Sequence, residues 1–528
     1  MFLRVTRKKY GNRIHEYAQI AEHKIVNHRQ KTIVLKHLGP VRNADDKERY
    51  RRIFDLERES EEVRRFKPSD LKLLPSLNFG ILYASRKLME EHGLMKVLAE
   101  HTGEYTDVIF LMIVSRLVDP SSDLSLMEFN RNSYSDNPVN TEQSRIYRAL
   151  DRLISKKDQI EIGIFHALKP DISTVHYDLT SSYFEGREDN DLVLFGYSRD
   201  KKRGKEQIVI GMVMADGIPI HHEVWPGNTV DPKTLESTIA TLKDRFHIRN
   251  FIFIADRAFG SNTSLELLDH NLYITAAYRW DMPYRRIITE TVFDDSDLIG
   301  DLFMKEVTLD AADLSHGGIT QEEKAFIMKR RHIMVYNRKR EVLDLRDLEE
   351  KIRIVRDKIR EIKDTDDLKK SLGKLRSLVK FTKHGVMMNQ KRISMLKSLA
   401  GRFMIITNTD LPIREVVNSY KDQWKIERSF RTIKSFLEIR PVNHRKSERI
   451  RAHVFICVLS LLLSNMMEKQ TGMTIERTTR DLSELKVIPV KLTNGIVMIR
   501  TESDRAEKVL VKLGVEYPKN VVKNIPDI

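Results

Sequence analysis

The chain has one cysteine, Cys457, in 528 residues. That excludes a disulfide framework and any zinc site built from several thiolates, and it fits a reducing, cytoplasmic setting. Long apolar runs are also missing. The longest, His453 to Met467 (HVFICVLSLLLSNMM), falls short of the roughly 20 residues a helix needs to cross a bilayer, and it is entered from the basic RKSERIRAH. It reads as a buried helix, so no membrane is expected as a partner. The start, MFLRVTRKKYGNR, lacks the apolar core of a secretory signal. No glycine-rich phosphate loop of the Walker type is present, so no nucleotide cofactor is expected. Internal repeats and low-complexity tracts are absent too.

What is present in excess is positive charge. Lys and Arg number 91 against 76 Asp and Glu, a formal net charge of +15, spread along the chain. Such a distribution suits a long polyanion, DNA or RNA. Hydrophobic residues make up 41%, and the length exceeds what one core usually supports, so several domains with ample burial are expected.

Residues 2 to 40 alternate polar and apolar, with Tyr10-Gly11-Asn12 and Asn27-His28 as turns, and predict a β-meander over 1–40. Charges at helical spacing from Ala44, then helix patterns through Leu168, predict an α-helical domain over 41–168. From Thr174 three strand-like runs follow, TVHYDLTSSYF, QIVIGMVMADG and IPIHHEVWPG, the last two joined at Asp216-Gly217 as a hairpin. A helix with Asp231 as cap and Pro232 at its first position, the strand NFIFIAD, the helix NTSLELLDHN and the strand LYITAAYR complete a mixed sheet with packed helices over 169–280. Residues 281–402 interrupt it with β-rich and then highly charged helical stretches, two helices divided near Asp364 to Asp367 whose charges read as a solvated face. The strand RFMIITNTD resumes the core over 403–480. It leads into a helix expected from Ile413 to Leu437. A hairpin around Asn494-Gly495 and a helix end the chain as a small βα region over 481–528.

Asp178 ends the apolar run VHYD and Asp256 ends IFIAD, so each sits where a buried strand emerges at the rim of a sheet, the usual place for ligands in α/β folds. Taken singly, either is an ordinary turn-starting Asp. Glu427 adds a third carboxylate. In a helix from Ile413 to Leu437, Tyr420, Glu427 and Lys434 share one face, with Gln423 and Arg431 a turn from Glu427, while Ile426, Phe430, Ile433 and Leu437 form an apolar stripe for docking. Three carboxylates from separate segments are what two-metal phosphoryl transfer requires, with two Mg²⁺ or Mn²⁺ ions roughly 4 Å apart. Arg431 and Lys434 would then hold the DNA backbone beside them.

At these residues the sequence resembles DDE transposases of bacterial insertion sequences. The branch in question has its third acid in a signature of Tyr, two residues, Arg, three residues, Glu, six residues, Lys (YREK, the insertion-sequence-four type). Tyr420, Gln423, Glu427 and Lys434 meet that spacing, with Gln423 in place of Arg, and the resemblance implies Tyr420, Gln423, Arg431 and Lys434 as DNA contacts. HYDLTSSYFEG and IADRAFGS resemble the contexts of the family's two aspartates, and the likeness extends over most of residues 170 to 470. The resemblance implies an α/β, RNase H-like (retroviral integrase-like) catalytic core interrupted by an insertion domain, behind a mostly α-helical N-terminal domain. It implies Asp178, Asp256 and Glu427 as catalytic metal ligands. It also implies a homodimer on double-stranded DNA that cuts at the terminal inverted repeats and joins the freed 3′-hydroxyl to target DNA. A hairpin route would stack a flipped base on an aromatic residue of the insertion, for which Trp280 and Tyr284 are candidates beside the alternative of junction packing.

Lys201, Lys202 and Arg203, with Arg199, form a basic loop that suits a DNA backbone or open solvent, and Asp200 beside them is a further acid near a site. His221-His222-Glu223 is an unlikely metal site, since neighbouring strand residues point to opposite faces. Trp424 fits aromatic packing or DNA contact. Two other readings compete with an active transposase: a DNA-binding derivative without catalysis, and a metal-dependent nuclease of the same fold.

Overall fold

The computed structural model describes residues 1–10, 13–26, 29–64, 72–120, 122, 125–136, 138–184, 190–196, 204–260, 262–277, 284–310, 314, 320–383, 385–440, 442, 444–492 and 495–526. They divide into two compact units.

The first unit comprises Met1–Leu77, Lys486–Glu502 and Pro518–Ile528. Its alternating amino-terminal segment forms the expected meander of Phe2–Tyr10, Arg13–Val26 and Arg29–Val41, paired antiparallel, with both tight turns outside the described residues. The helix Ala44–Arg64 follows. The carboxy-terminal hairpin Lys486–Leu492 and Gly495–Arg500 is extended by the strand Val521–Pro526.

The second unit, Asn78–Leu485 with Ser503–Tyr517, holds the main sheet. Helices Gly80–Glu91, Leu94–Thr102, Thr106–Val118, Gln143–Ser155 and Lys157–Leu168 belong to this same unit. At the heart of the sheet lies Thr174–Tyr183, antiparallel to Glu206–Ala215 and parallel to Ile252–Ala255. Ile218–Pro226 pairs beyond the first neighbour and Leu272–Ala276 beyond the second. Leaving out the two-residue strand Leu194–Phe195, these five strands stand in the order third, second, first, fourth, fifth. The apolar runs that predicted them are buried almost throughout, as expected of strands covered on both faces. Asp216 and Gly217 close the hairpin with φ of 51° and 75°, the two left-handed residues of a type I′ turn.

Residues 281–402 are not all of one kind. Leu302–Val307 and Arg331–Tyr336 continue the main sheet beyond Arg402–Thr407. The charged helices Arg338–Glu361 and Thr365–Leu372 instead pack around a small core of Leu348, Val355, Leu368, Leu372, Leu378, Val379 and Ile393. Asp364 accepts the amides of Asp366 and Asp367 and so starts the second helix, the division anticipated from the acids.

Helix Ser447–Thr471 contains the long apolar run and is long and apolar enough to cross a membrane, yet 89% of its apolar window is buried inside the protein. It packs against helices Thr106–Val118 and Gln143–Ser155 and strand Ile218–Pro226.

Two local expectations are corrected. The helix Asp231–Asp244 is capped by Val230 rather than Asp231, with Pro232 in its first turn, where its missing N–H is not needed. The single helix expected from Ile413 to Leu437 is two, Ile413–Lys421 and Trp424–Ser435, with a turn at Asp422 and Gln423. At this turn the Gln423 side chain goes inward, where its buried amide finds partners.

Candidate active site

The register fixes the first two acids. Ala255 pairs with Tyr177 across parallel strands, so Asp256, one residue further on, comes level with Asp178. Neighbouring strands lie about 4.8 Å apart, which brings the two carboxylates to one short stretch where Ile252–Ala255 ends; Asp178 itself is mid-strand in Thr174–Tyr183, not at the strand end expected. Both are half-buried. Asp178 accepts the Leu179 amide at 2.7 Å. Asp256 starts a short 3₁₀ turn by accepting the Ala258 amide, while its carbonyl accepts from the Thr275 hydroxyl at 2.9 Å. Gly260 closes that turn against Ala276, whose carbonyl oxygen would lie 2.4 Å from any added Cβ, so a side chain here would push the Asp256 turn off the sheet.

Glu427 lies in the first turn of Trp424–Ser435 and is exposed. Ile426, Phe430 and Ile433 are buried beneath it, the docking stripe read from the sequence, and the helix packs on the Asp178 strand. Its start is tied to that strand by Gln423. The Gln423 amide nitrogen donates to the Tyr177 carbonyl at 3.0 Å, and its Oε1 lies 3.2 Å from Nδ1 of His176. With the amide oriented by the first bond, Oε1 can only accept, so His176 carries its proton on Nδ1. Gln423 is therefore not a DNA-backbone contact: only 4% of its surface is exposed, and both ends of its amide are engaged inside the protein. His176 lies two residues before Asp178 and so on the same sheet face, a spacing from which its proximity was readable.

Tyr420, from the preceding helix, joins the three acids electrostatically. Its ring packs on Phe403 with centroids 6.0 Å apart. Burial first, and then the negative charges of Asp256, Glu427 and Asp178, push its hydroxyl well above the ordinary tyrosine range, against the opposing pull of Arg257. The fields of all three carboxylates thus converge at one phenol. Among the described residues, however, no three His, Cys, Asp or Glu side chains stand close enough to hold a metal ion as they are placed. The donor set is nonetheless of the right kind: oxygen ligands alone, two of them level on adjacent strands, suit Mg²⁺ or Mn²⁺.

The basic neighbours of Glu427 divide their charge. Lys425 pairs with Asp422 and Arg428 with Glu468, each at 2.9 Å. Arg431 is exposed and Lys434 half-buried on the same helix. Trp424 is 50% exposed at the helix start rather than packed away. Lys201, Lys202 and Arg203, with Arg199 and Asp200, lie outside the described residues, as does Trp280. Tyr284 is buried against His332, ring centroids 5.9 Å apart, so its face is not open to a base.

His221 and His222 do not point apart as expected. Although their pairing with Met212 and Val213 is regular, Nδ1 of both rings meets the Glu161 carboxylate, at 2.8 and 2.7 Å. Lys157 bonds the same carboxylate at 2.9 Å. This buried cluster ties helix Lys157–Leu168 to the sheet.

The family described as Transposase DDE domain matches residues 178–463, more than half of the chain, beginning at Asp178 and including Asp256 and Glu427. The transposase for insertion sequence element IS231E of Bacillus thuringiensis subsp. finitimus is 27% identical over 146 residues, 26% of this chain and 30% of that protein. The IS231B transposase of Bacillus thuringiensis subsp. berliner is 29% identical over 146 residues, with the same coverage. The chain thus matches under a third of the length of these relatives. A piggyBac transposase synaptic complex with hairpin DNA aligns with 76% of this chain and 80% of its own at 10% identity, but with a TM-score of 0.36 that carries no argument. On the family match, which spans Asp178, Asp256 and the helix of Glu427, the chain belongs to the DDE-domain transposases.

Proposed function

We propose that the protein is a DNA transposase of the YREK branch, with an RNase H-like core whose Asp178, Asp256 and Glu427 carry the phosphoryl-transfer chemistry at the ends of its own element. The strand order third, second, first, fourth, fifth, with the last two parallel to the first, supports that core. The observation that carries the reading is the level placement of Asp178 and Asp256 on parallel strands, with the Glu427 helix pinned to the same strand by Gln423.

In this reading Asp178, Asp256 and Glu427 would be the carboxylates that hold divalent cations. Bound there, such ions supply charge neutralisation at the scissile phosphate and an activated water or 3′-hydroxyl. The chain's own part is positioning. Gly260 and the Ala258 amide fix Asp256, Gln423 sets the start of the Glu427 helix, and Tyr420 offers a neutral hydroxyl among the acids. Arg431 and Lys434 hold the DNA backbone beside them, and two copies of the chain pair on two ends of double-stranded DNA. Strand cleavage followed by attack of the freed 3′-hydroxyl conserves phosphodiester bonds, so no nucleotide is consumed. The test is cleavage of a labelled duplex carrying the DNA that flanks the gene, with Mg²⁺ or Mn²⁺. Wild-type protein is expected to cut at one defined end and Asp178→Asn to bind without cutting. Binding without cleavage by wild type would favour a non-catalytic derivative.

A further inference from the structure

A groove of about 580 Å³ lies between helices Ile475–Ser483 and Asp504–Lys512, outside the family-matched residues 178–463. Five cations line it, Arg477, Arg480, Arg505, Lys508 and Lys512, with Asp481 the one acid among its lining residues. The two helices also carry Glu476, Asp504 and Glu507, none of which lines the groove. Charge on this pair of helices is therefore sorted by face. Asp481 is buried, and both Arg480 and Arg477 lean on its one carboxylate, at 3.4 and 3.7 Å, with their own side chains 69% and 65% exposed. One negative charge shared by two guanidiniums leaves a surplus for a ligand. Arg505 pairs with Glu484 at 2.9 Å, and Lys512 donates to the Thr471 carbonyl at 2.9 Å.

We propose that this groove is a second contact for the DNA phosphate backbone, away from Asp178, Asp256 and Glu427. The proposal rests on the reading that the protein handles DNA. Arg505, Lys508 and Lys512 share one helix face, and seven residues of helix span about 10 Å. Measured along the duplex axis, that length passes about three phosphates of one strand. A row of cations of this length fits a polyanion better than a single free phosphate. Two-sided lining, with Arg477 and Arg480 on the facing helix, fits a backbone lying along the groove.

The experiment measures binding of a labelled duplex to the full chain by fluorescence anisotropy at several salt concentrations, for wild type and Arg477→Gln/Arg480→Gln/Lys508→Gln. Each released phosphate contact lowers the slope of log affinity against log salt by about 0.9. The triple variant is expected to lose about 2 or more in slope and at least tenfold in affinity at low salt. The single Arg480→Gln, which leaves the other cations in place, is expected to lose about 0.9 in slope. Unchanged slopes in both variants overturn the proposal. So does a change in the oligomeric state of the DNA-free protein without a change in slope, which would assign the groove to protein. Inorganic phosphate at millimolar concentration that abolishes the wild-type slope difference would also overturn it, marking a small-anion site. Failure of this groove and failure of the transposase reading are separable, because defined cleavage by wild type with unchanged variant slopes removes only the groove.

Discussion

Tyr420 connects the residues of the site most directly. Burial and three neighbouring negative charges keep its hydroxyl protonated, so among carboxylates it can act only as a donor. Tyr420→Phe keeps the ring against Phe403 and removes only that donor. We expect its thermal midpoint to match wild type and its single-turnover cleavage to fall about tenfold, the worth of one charge-assisted hydrogen bond. A cleavage rate within twofold of wild type would leave Tyr420 a packing residue. The strand-end position was legible for Asp256, which follows Ile252–Ala255, but not for Asp178, whose strand runs on to Tyr183 because pairing with Glu206–Ala215 continues past it. Nor was the inward turn of Gln423 legible. Helical spacing assigns residues to a face but does not say what covers the face, and at this position a buried strand carbonyl and His176 do.

At the scale of elements, the interruption between Ile413–Lys421 and Trp424–Ser435 decides how Glu427 is presented. Propensity and periodicity gave one continuous helix, since nothing in SYKDQWKIE is a breaker such as Gly or Pro. The structure instead joins two helices at Asp422 and Gln423, with the Gln423 amide buried. The consequence is testable with Gln423→Leu, which removes the bonds to the Tyr177 carbonyl and to Nδ1 of the buried His176 ring. A buried group so stranded costs about 1–3 kcal/mol. Stability alone would not identify a positioning residue, so the decisive quantity is the Mg²⁺ concentration for half-maximal cleavage. We expect it to rise severalfold in Gln423→Leu and to stay unchanged in Leu461→Ala, a core variant in the central helix with a comparable stability loss. A metal dependence identical in all three proteins would make Gln423 merely structural. The hairpin at Asp216-Gly217 and the amino-terminal meander followed the sequence closely, because turn chemistry and alternation are local. The continuation of the main sheet by Leu302–Val307 and Arg331–Tyr336 did not, because strand partners far apart in sequence leave no local pattern.

For the whole molecule, buried histidines set an acid limit. Burial pushes both His222 and His332 down to about 4 from 6.5, so each is neutral in the folded protein and protonated once unfolded below that higher value. The unfolded chain then binds more protons, so stability rises with pH between about 4 and 6.5 and is lost as pH falls through that window. For His332, 1% exposed, the full loss is on the order of 3 kcal/mol. We expect the thermal midpoint to drop between pH 7 and pH 5 and His332→Leu to lessen the drop. An equal drop in the variant would place the acid sensitivity elsewhere. In the proposed reading, the basic excess of the chain and the carboxylates Asp178, Asp256 and Glu427 would answer to one demand, to bind a polyanion while holding carboxylates against it. That demand is what the site account explains, and it is tested most directly by comparing wild type with Glu427→Gln on a labelled duplex of gene-flanking DNA in Mg²⁺ or Mn²⁺. The account predicts a defined cut by wild type alone, with DNA binding by the variant equal or tighter because one negative charge is gone. Equal cleavage by Glu427→Gln would contradict it and return the helix Trp424–Ser435 to a structural role.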